Sequence, residues 1–250
     1  MPTFWDRTPK RRAAAALAAV LALAAPLAAK AGIVVASSGP SAASFPVGTK
    51  LPDDSKITLQ TADSVTILDS RGTHVLKGAG TFTVGARGGP TRASTFAVLT
   101  RERSAQRVRT GAVRGSGPDG KPLSPNLWYV DASRSGTACV IDPTMVRLWR
   151  PDIEDEGRYL ITSGADNGEK ALVTFAPGSM VAAWDPQKTP VSDGATFTIA
   201  KEGSAQKGTV AFALLERKTY EPEDLAAALI AHGCQAQLEL LSQSLALPSD

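Results

Sequence analysis

Over residues 56–84 and 127–215, apolar and polar residues alternate in short runs, and glycine, asparagine or aspartate closes many of them. A period of two places every second side chain on one side of an extended strand and cannot give a helix one apolar face. Lys56–Gln60 and Ser64–Leu68 carry the pattern, Ile33-Val34-Val35 precedes them, and Thr73–Lys77 and Thr81–Val84 follow. Asp69-Ser70-Arg71-Gly72 and Lys77-Gly78-Ala79-Gly80 supply the turns. A second series comprises Leu127–Asp131, Thr137–Ile141, Met145–Trp149, Arg158–Thr162, Ala171–Phe175, Met180–Trp184, Thr196–Ala200 and Thr209–Leu215. Within it, Asp166-Asn167-Gly168 and Ser192-Asp193-Gly194 are hairpin turns. Strands this short and this regularly spaced predict an immunoglobulin-like β-sandwich, without fixing the strand order.

Helical periodicity is confined mainly to the end. Pro222 suits a first helical position, and Glu223 and Asp224 favour the positive end of the helix dipole. Leu225, Leu229 and His232 fall on one face, and Gly233 stops the helix. Leu238, Leu241 and Leu245 mark a second short helix before Pro248. A helical hairpin this short cannot stand alone, so its leucines are expected to dock on the second β domain.

Residues 1–31 have the form of an export signal. Arg7, Lys10, Arg11 and Arg12 against Asp6 make a cationic start, and Ala13–Ala25 is an apolar run that Pro26 ends. Ala29-Lys30-Ala31 then offers the small residues at which signal peptidase cuts. The run falls short of the roughly 20 strongly apolar residues of a stable span. Cleavage, leaving no stable span, is expected; retention as an anchor is the alternative. The expected location is periplasmic or secreted. Five of the 27 Lys and Arg and one of the 24 Asp and Glu lie in this leader, so a whole-chain charge of +3 becomes −1 for the remainder. The basic balance belongs to the leader and gives no reason to expect nucleic acid.

Over residues 87–115, Arg87, Arg92, Arg101, Arg103, Arg107, Arg109 and Arg114 stand against Glu102 alone. Ala93–Arg109 has helical character, with Phe96, Leu99 and Arg103 on one side and glycine-rich breakers before and after. This basic connector either pairs with acidic patches of its neighbours or presents Arg101, Arg103, Arg107 and Arg109 to anionic lipid, an envelope polymer or an acidic partner. It lacks the aromatic interleaving that stacks nucleic-acid bases.

The run from Phe45-Pro46-Val47-Gly48-Thr49 through Ser64–Thr73 to Lys77-Gly78-Ala79-Gly80 resembles the FecR-type β domains of bacterial signalling and envelope proteins. The family's segment of glycine–aspartate followed by threonine–glycine is replaced here by Pro52-Asp53-Asp54-Ser55. The resemblance implies a periplasmic β fold. Inward signalling would also need a membrane helix and a cytoplasmic segment, and neither is expected.

Two cysteines remain to be placed, Cys139 in an expected strand and Cys234 before the last helix. An oxidising compartment favours pairing them, and the bridge would contribute at most about 4–5 kcal/mol. Two buried free thiols are the alternative. There is no Cys-x-x-Cys, and His74 and His232 are the only histidines, with no Gly-x-Ser-x-Gly elbow to accompany them. Ser204-Ala205-Gln206-Lys207 matches Ser-x-x-Lys, but in a turn and without the companion motifs. Asp152, Glu154, Asp155 and Glu156 crowd one loop without the spacing of an EF-hand, as an acidic turn facing the connector would. No catalytic, cofactor or metal site is therefore expected. Trp128, Trp149 and Trp184 gather in the second β domain with Tyr129 and Tyr159. Between sheets they are core; on one face they would stack sugars or peptide. Trp128 and Tyr129 are adjacent and point to opposite faces of a strand, so one of them is a candidate for the surface.

The expected organisation is a leader (1–31), a small FecR-like β domain (32–86), an Arg-rich connector, helical in part (87–122), a β-sandwich (123–218) and a helical hairpin (219–250). The expected work is non-enzymatic binding of an envelope protein or anionic envelope polymer. The alternatives are a periplasmic hydrolase acting on envelope material and a structural assembly subunit whose chains pair through the open strand edges of the first domain. Oligomeric state is left open.

Overall fold

The computed structural model describes residues 31–85, 92–102, 122–152, 156–164, 168–205 and 207–247. Residues 1–30 of the expected leader lie outside them, as do Arg87, Arg103, Arg107, Arg109, Arg114, Glu154, Asp155 and the Asp166-Asn167 corner. Strand predominates, with helices at the end of the chain, as the alternating pattern requires. No helix among the described residues is long and apolar enough to cross a membrane.

The first unit comprises β1 (Ala31–Ser38), β2 (Lys50–Pro52), β3 (Lys56–Leu59), β4 (Ser64–Asp69), β5 (Gly72–Lys77) and β6 (Gly80–Thr83). An antiparallel sheet runs in the order β2-β1-β4-β5, and β3 pairs with β6. Alternate residues Ile57, Leu59, Val65 and Ile67 share a core with Val34, Leu51, Leu76 and Val84. On β1, Ile33 and Val35 belong to a different core from Val34. A strand buried on both faces reads as a continuous apolar run, which accounts for Ile33-Val34-Val35. Asp69 shapes the β4–β5 turn by accepting the Arg71 and Gly72 amides at 2.8 and 3.1 Å on its Oδ1. Burial works to raise the Asp69 pKa. His74, whose Nε2 lies 3.1 Å from Oδ2, and the two amides outweigh it and hold the carboxyl below its ordinary value.

α1 (Ala93–Thr100) stops well before Arg109, the end expected from sequence. Its last carbonyls are taken by another segment: Leu127 N–H, Trp128 Nε1–H and Asn126 Nδ2–H donate to the oxygens of Leu99, Thr100 and Arg101 at 2.9, 2.7 and 2.8 Å. That satisfies the carbonyls a helix end leaves unpaired.

The second unit comprises β7 (Tyr129–Asp131), β8 (Gly136–Val140), β9 (Arg147–Trp149), β10 (Gly157–Ser163), β11 (Lys170–Phe175), β12 (Val181–Ala183), β13 (Thr196–Lys201) and β14 (Lys207–Leu214). Each expected strand of this series forms. The order illegible in sequence is β11-β10-β13-β14-β8 in one sheet and β12-β9-β7 in another. Two of the pairings, β14 with β8 and β7 with β9, are parallel, so consecutive hairpins do not generate the unit. Inward residues of both sheets share one core. Trp184 meets Phe197 and Phe212 edge-on at 4.9 and 5.5 Å, and its Nε1–H donates to the Thr189 oxygen at 2.7 Å.

α2 (Pro222–Ala231) and α3 (Gln235–Ser244) close the chain. Gly233, at φ +69°, makes the left-handed step between them. Docking on the second unit is only half of what the hairpin does. Leu225, Leu229, Leu238 and Leu241 pack both against Cys139, Ala213 and Leu215 and against Ile33, Val35 and Leu68 of the first unit. Cys139 and Cys234 form a disulfide that fixes the start of α3 to β8, with both residues fully buried. Beyond α3, Thr73 N–H donates to the Leu245 oxygen at 2.8 Å and Leu247 N–H to the Thr73 oxygen at 3.0 Å. This final segment runs parallel to β5 and covers part of its free edge.

Candidate functional site

β7 and β8 are the outermost strands of their sheets, and both border one open cleft of about 700 Å³. α3 supplies the opposite wall through Ala236, Gln237, Glu239, Leu240 and Gln243. A free strand edge normally invites pairing with another chain, so what this molecule does with the β8 edge is informative.

Part of that edge is met by a side chain. Cys139 N–H donates to Gln237 Oε1 at 2.6 Å, and Gln237 Nε2–H donates to the Cys139 and Leu127 oxygens at 2.7 and 2.9 Å. A primary amide offers one acceptor and two donors, and buried Gln237 uses all three functions. Its carboxamide does for Cys139 what a residue of a neighbouring strand would do. Two residues earlier the pairing stops. Val140 faces β14, giving its oxygen to Leu215 N–H at 2.9 Å, while Cys139 faces α3. Alternation along the ladder turns the N–H and C=O of Thr137 the same way as those of Cys139. Neither Thr137 group has a protein partner among the described residues.

The lining is polar at the rim and apolar at the base, where buried Val130 and Val210 lie. Asp131 Oδ1 accepts from Ser133 N–H and Oγ–H at 2.8 and 2.6 Å, fixing the turn after β7. From that turn, Arg134 Nη2 reaches Glu239 Oε2 on α3 at 3.0 Å. Both side chains are about half exposed, so the pair is a weak strap and contributes little to stability. Trp149 lines the cleft, is 5% exposed, and its Nε1–H has no protein acceptor among the described residues. The lining contains no histidine or cysteine. Hydroxyls, an amide, aromatic rings and unpaired backbone groups equip it to bind by hydrogen bonding and stacking.

The residues singled out in sequence are distributed as follows. Tyr129 lines the cleft, whereas Trp128 packs against the leucine cluster and its indole N–H is used on α1. Arg101 is exposed and adjoins Trp128 only through the capped helix end. Arg103, Arg107 and Arg109 lie outside the described residues. Trp184 is core. Of the acidic loop, Asp152 pairs with buried Arg150 at 3.1 Å and lies 3.9 Å from Lys201 Nζ. Arg150 also donates to the Ser179 oxygen at 3.1 Å and lies over the Phe175 ring at 4.9 Å. No three metal-ligating side chains gather among the described residues. Ser204 sits in a turn and Lys207 opens β14, so neither stands on a helix.

Gln237, Thr137, Arg134, Glu239 and Gln243 were not singled out. Gln237 alone left a signal: it stands four residues before Leu241 and eight before Leu245, a polar side chain on the apolar stripe of α3. No protein-family model, curated protein or solved structure shows a significant match to this chain.

Proposed function

We propose that the chain is an exported, non-enzymatic envelope protein whose cleft between β7, β8 and α3 binds a protein or polymer partner. In this reading residues 1–31 address it to the periplasm or beyond, the first unit is a FecR-like β domain, and the second is a sandwich of immunoglobulin-like proportions. The observation that carries the reading is the cleft itself, which two sheet edges border and which is lined by groups that hydrogen-bond and stack. The buried disulfide agrees with an oxidising compartment. In the test, envelope extract is passed over the immobilised protein and over Gln243→Trp, which fills the cleft from an exposed position on α3. A partner retained by the first and lost from the second is expected; equal retention would place binding elsewhere.

A second reading, a structural assembly subunit, draws on β11. This strand is outermost in its sheet, and on its outer face Leu172 is exposed opposite exposed Leu160 of β10. Concentration-dependent association in analytical ultracentrifugation, removed by Leu172→Lys, is its expected signature.

A further inference from the structure

We infer that the cleft takes an extended polypeptide, added as a strand to the edge of β8 at Thr137. The inference rests on the cleft being the binding site and names its ligand class. Three features support a peptide backbone as the occupant. The Gln237 carboxamide already occupies this edge at Cys139 with the donor–acceptor pair of a strand residue, at 2.6 and 2.7 Å, so the edge stands in a geometry that accepts strand pairing. The next residue to face that edge, Thr137, lines the cleft, and neither its N–H nor its C=O has a protein partner among the described residues. A backbone lying antiparallel or parallel to β8 supplies a C=O and an N–H in the ladder spacing that both groups require.

The surroundings suit alternating side chains. Along an added strand, every second side chain points to the same side. One set would meet the apolar base at Val130 and Val210, and the other the polar rim at Ser133 and Gln243. The Arg134–Glu239 pair is exposed enough to part or to close over the bound segment without a large penalty.

Selection of a phage-displayed random decapeptide library on the immobilised full chain tests this, followed by affinities of the enriched peptides. Thr137→Pro deletes the outward N–H without touching the β14 side of the ladder. It should weaken binding about tenfold or more while the thermal transition stays close to that of the parent. N-methylation of the peptide supplies a control that leaves the protein unaltered. Methylation of the one peptide N–H that pairs with the Thr137 oxygen should abolish binding, and methylation of the residues on either side of it should leave binding unchanged. Enriched peptides that bind Thr137→Pro equally well and tolerate methylation at every position would overturn strand addition. An N-acetylglucosamine oligosaccharide is titrated in parallel, monitored at the Tyr129 and Trp149 resonances. If it binds there and no peptide enriches, strand addition fails and the cleft reading survives. If neither probe binds the cleft, both fail.

Discussion

The two cores that meet at β14 are built from different material. On one side, Phe212 joins the rings of Phe197, Trp184, Tyr159 and Phe175 among the valines and isoleucines of two sheets, a ring-containing cluster drawn from the second series of strands. On the other, Ala213 and neighbouring Cys139 meet the leucines of α2 and α3, which also hold Ile33, Val35 and Leu68 of the first unit. The ring-containing core closes within one stretch of sequence. The aliphatic core draws on the first unit, α1, the second unit and the helical hairpin, and it alone joins the units and positions α3 against β8. Damage to the first should lower stability, and damage to the second should also separate the units.

The largest effect is expected from Phe212→Ala, which removes a fully buried ring and should cost about 3–5 kcal/mol in urea denaturation. Both units should still unfold together, as judged by tryptophan fluorescence for the second and backbone NMR signals of β1, β4 and β5 for the first. Leu229→Ala, in the joining cluster, should cost about 2–5 kcal/mol and split those two signals, the first unit melting earlier. Coincident signals in Leu229→Ala would break the comparison. Next comes Gln237→Leu, which strands the Cys139 N–H and two carbonyls beside an apolar side chain and should cost about 1–3 kcal/mol.

The smallest effects concern pH, at the seam between α2 and β4. Burial, followed by the nearby charges of Asp69, Glu221 and Asp224, raises the Glu223 carboxyl above its ordinary value. Its unfolded form therefore ionises first, so stability falls as pH rises from 4.5 through the folded value. Glu223→Gln should stabilise slightly at neutral pH, and the gain should vanish on acidification. Asp69 has the opposite sign. Its depressed pKa gives stability that is present above 3.8 and lost as pH falls through the folded value. Asp69→Asn should therefore weaken the protein near pH 7, with the deficit closing in acid. Thermal unfolding across pH 3–7 distinguishes the two.

These contrasts follow the line between what sequence made legible and what it did not. Alternation located β10, β11 and β13 to within a residue at either end, because a strand between water and a core records both faces in its own residues. β2 escaped notice, since three residues ending at Pro52 carry too little alternation. The Leu225/Leu229 stripe announced an apolar face on α2 but not its partners, because periodicity says that a face is buried and never against what. The cleft was the least legible feature. Thr137 and Gln237 lie a hundred residues apart, and an unpaired backbone edge has no residue type of its own. Cys139 and Cys234 were the exception: the expected compartment and a count of two sufficed to pair them.

Strand β8 allows a single direct test, the native-state hydrogen exchange of two amides on the same edge. Cys139 N–H, held by buried Gln237, should exchange only with global unfolding. Thr137 N–H, two residues away and facing the open cleft, should exchange orders of magnitude faster in the free protein. Equal, slow exchange at both positions would contradict the account, since the edge proposed to receive a partner would then already be occupied.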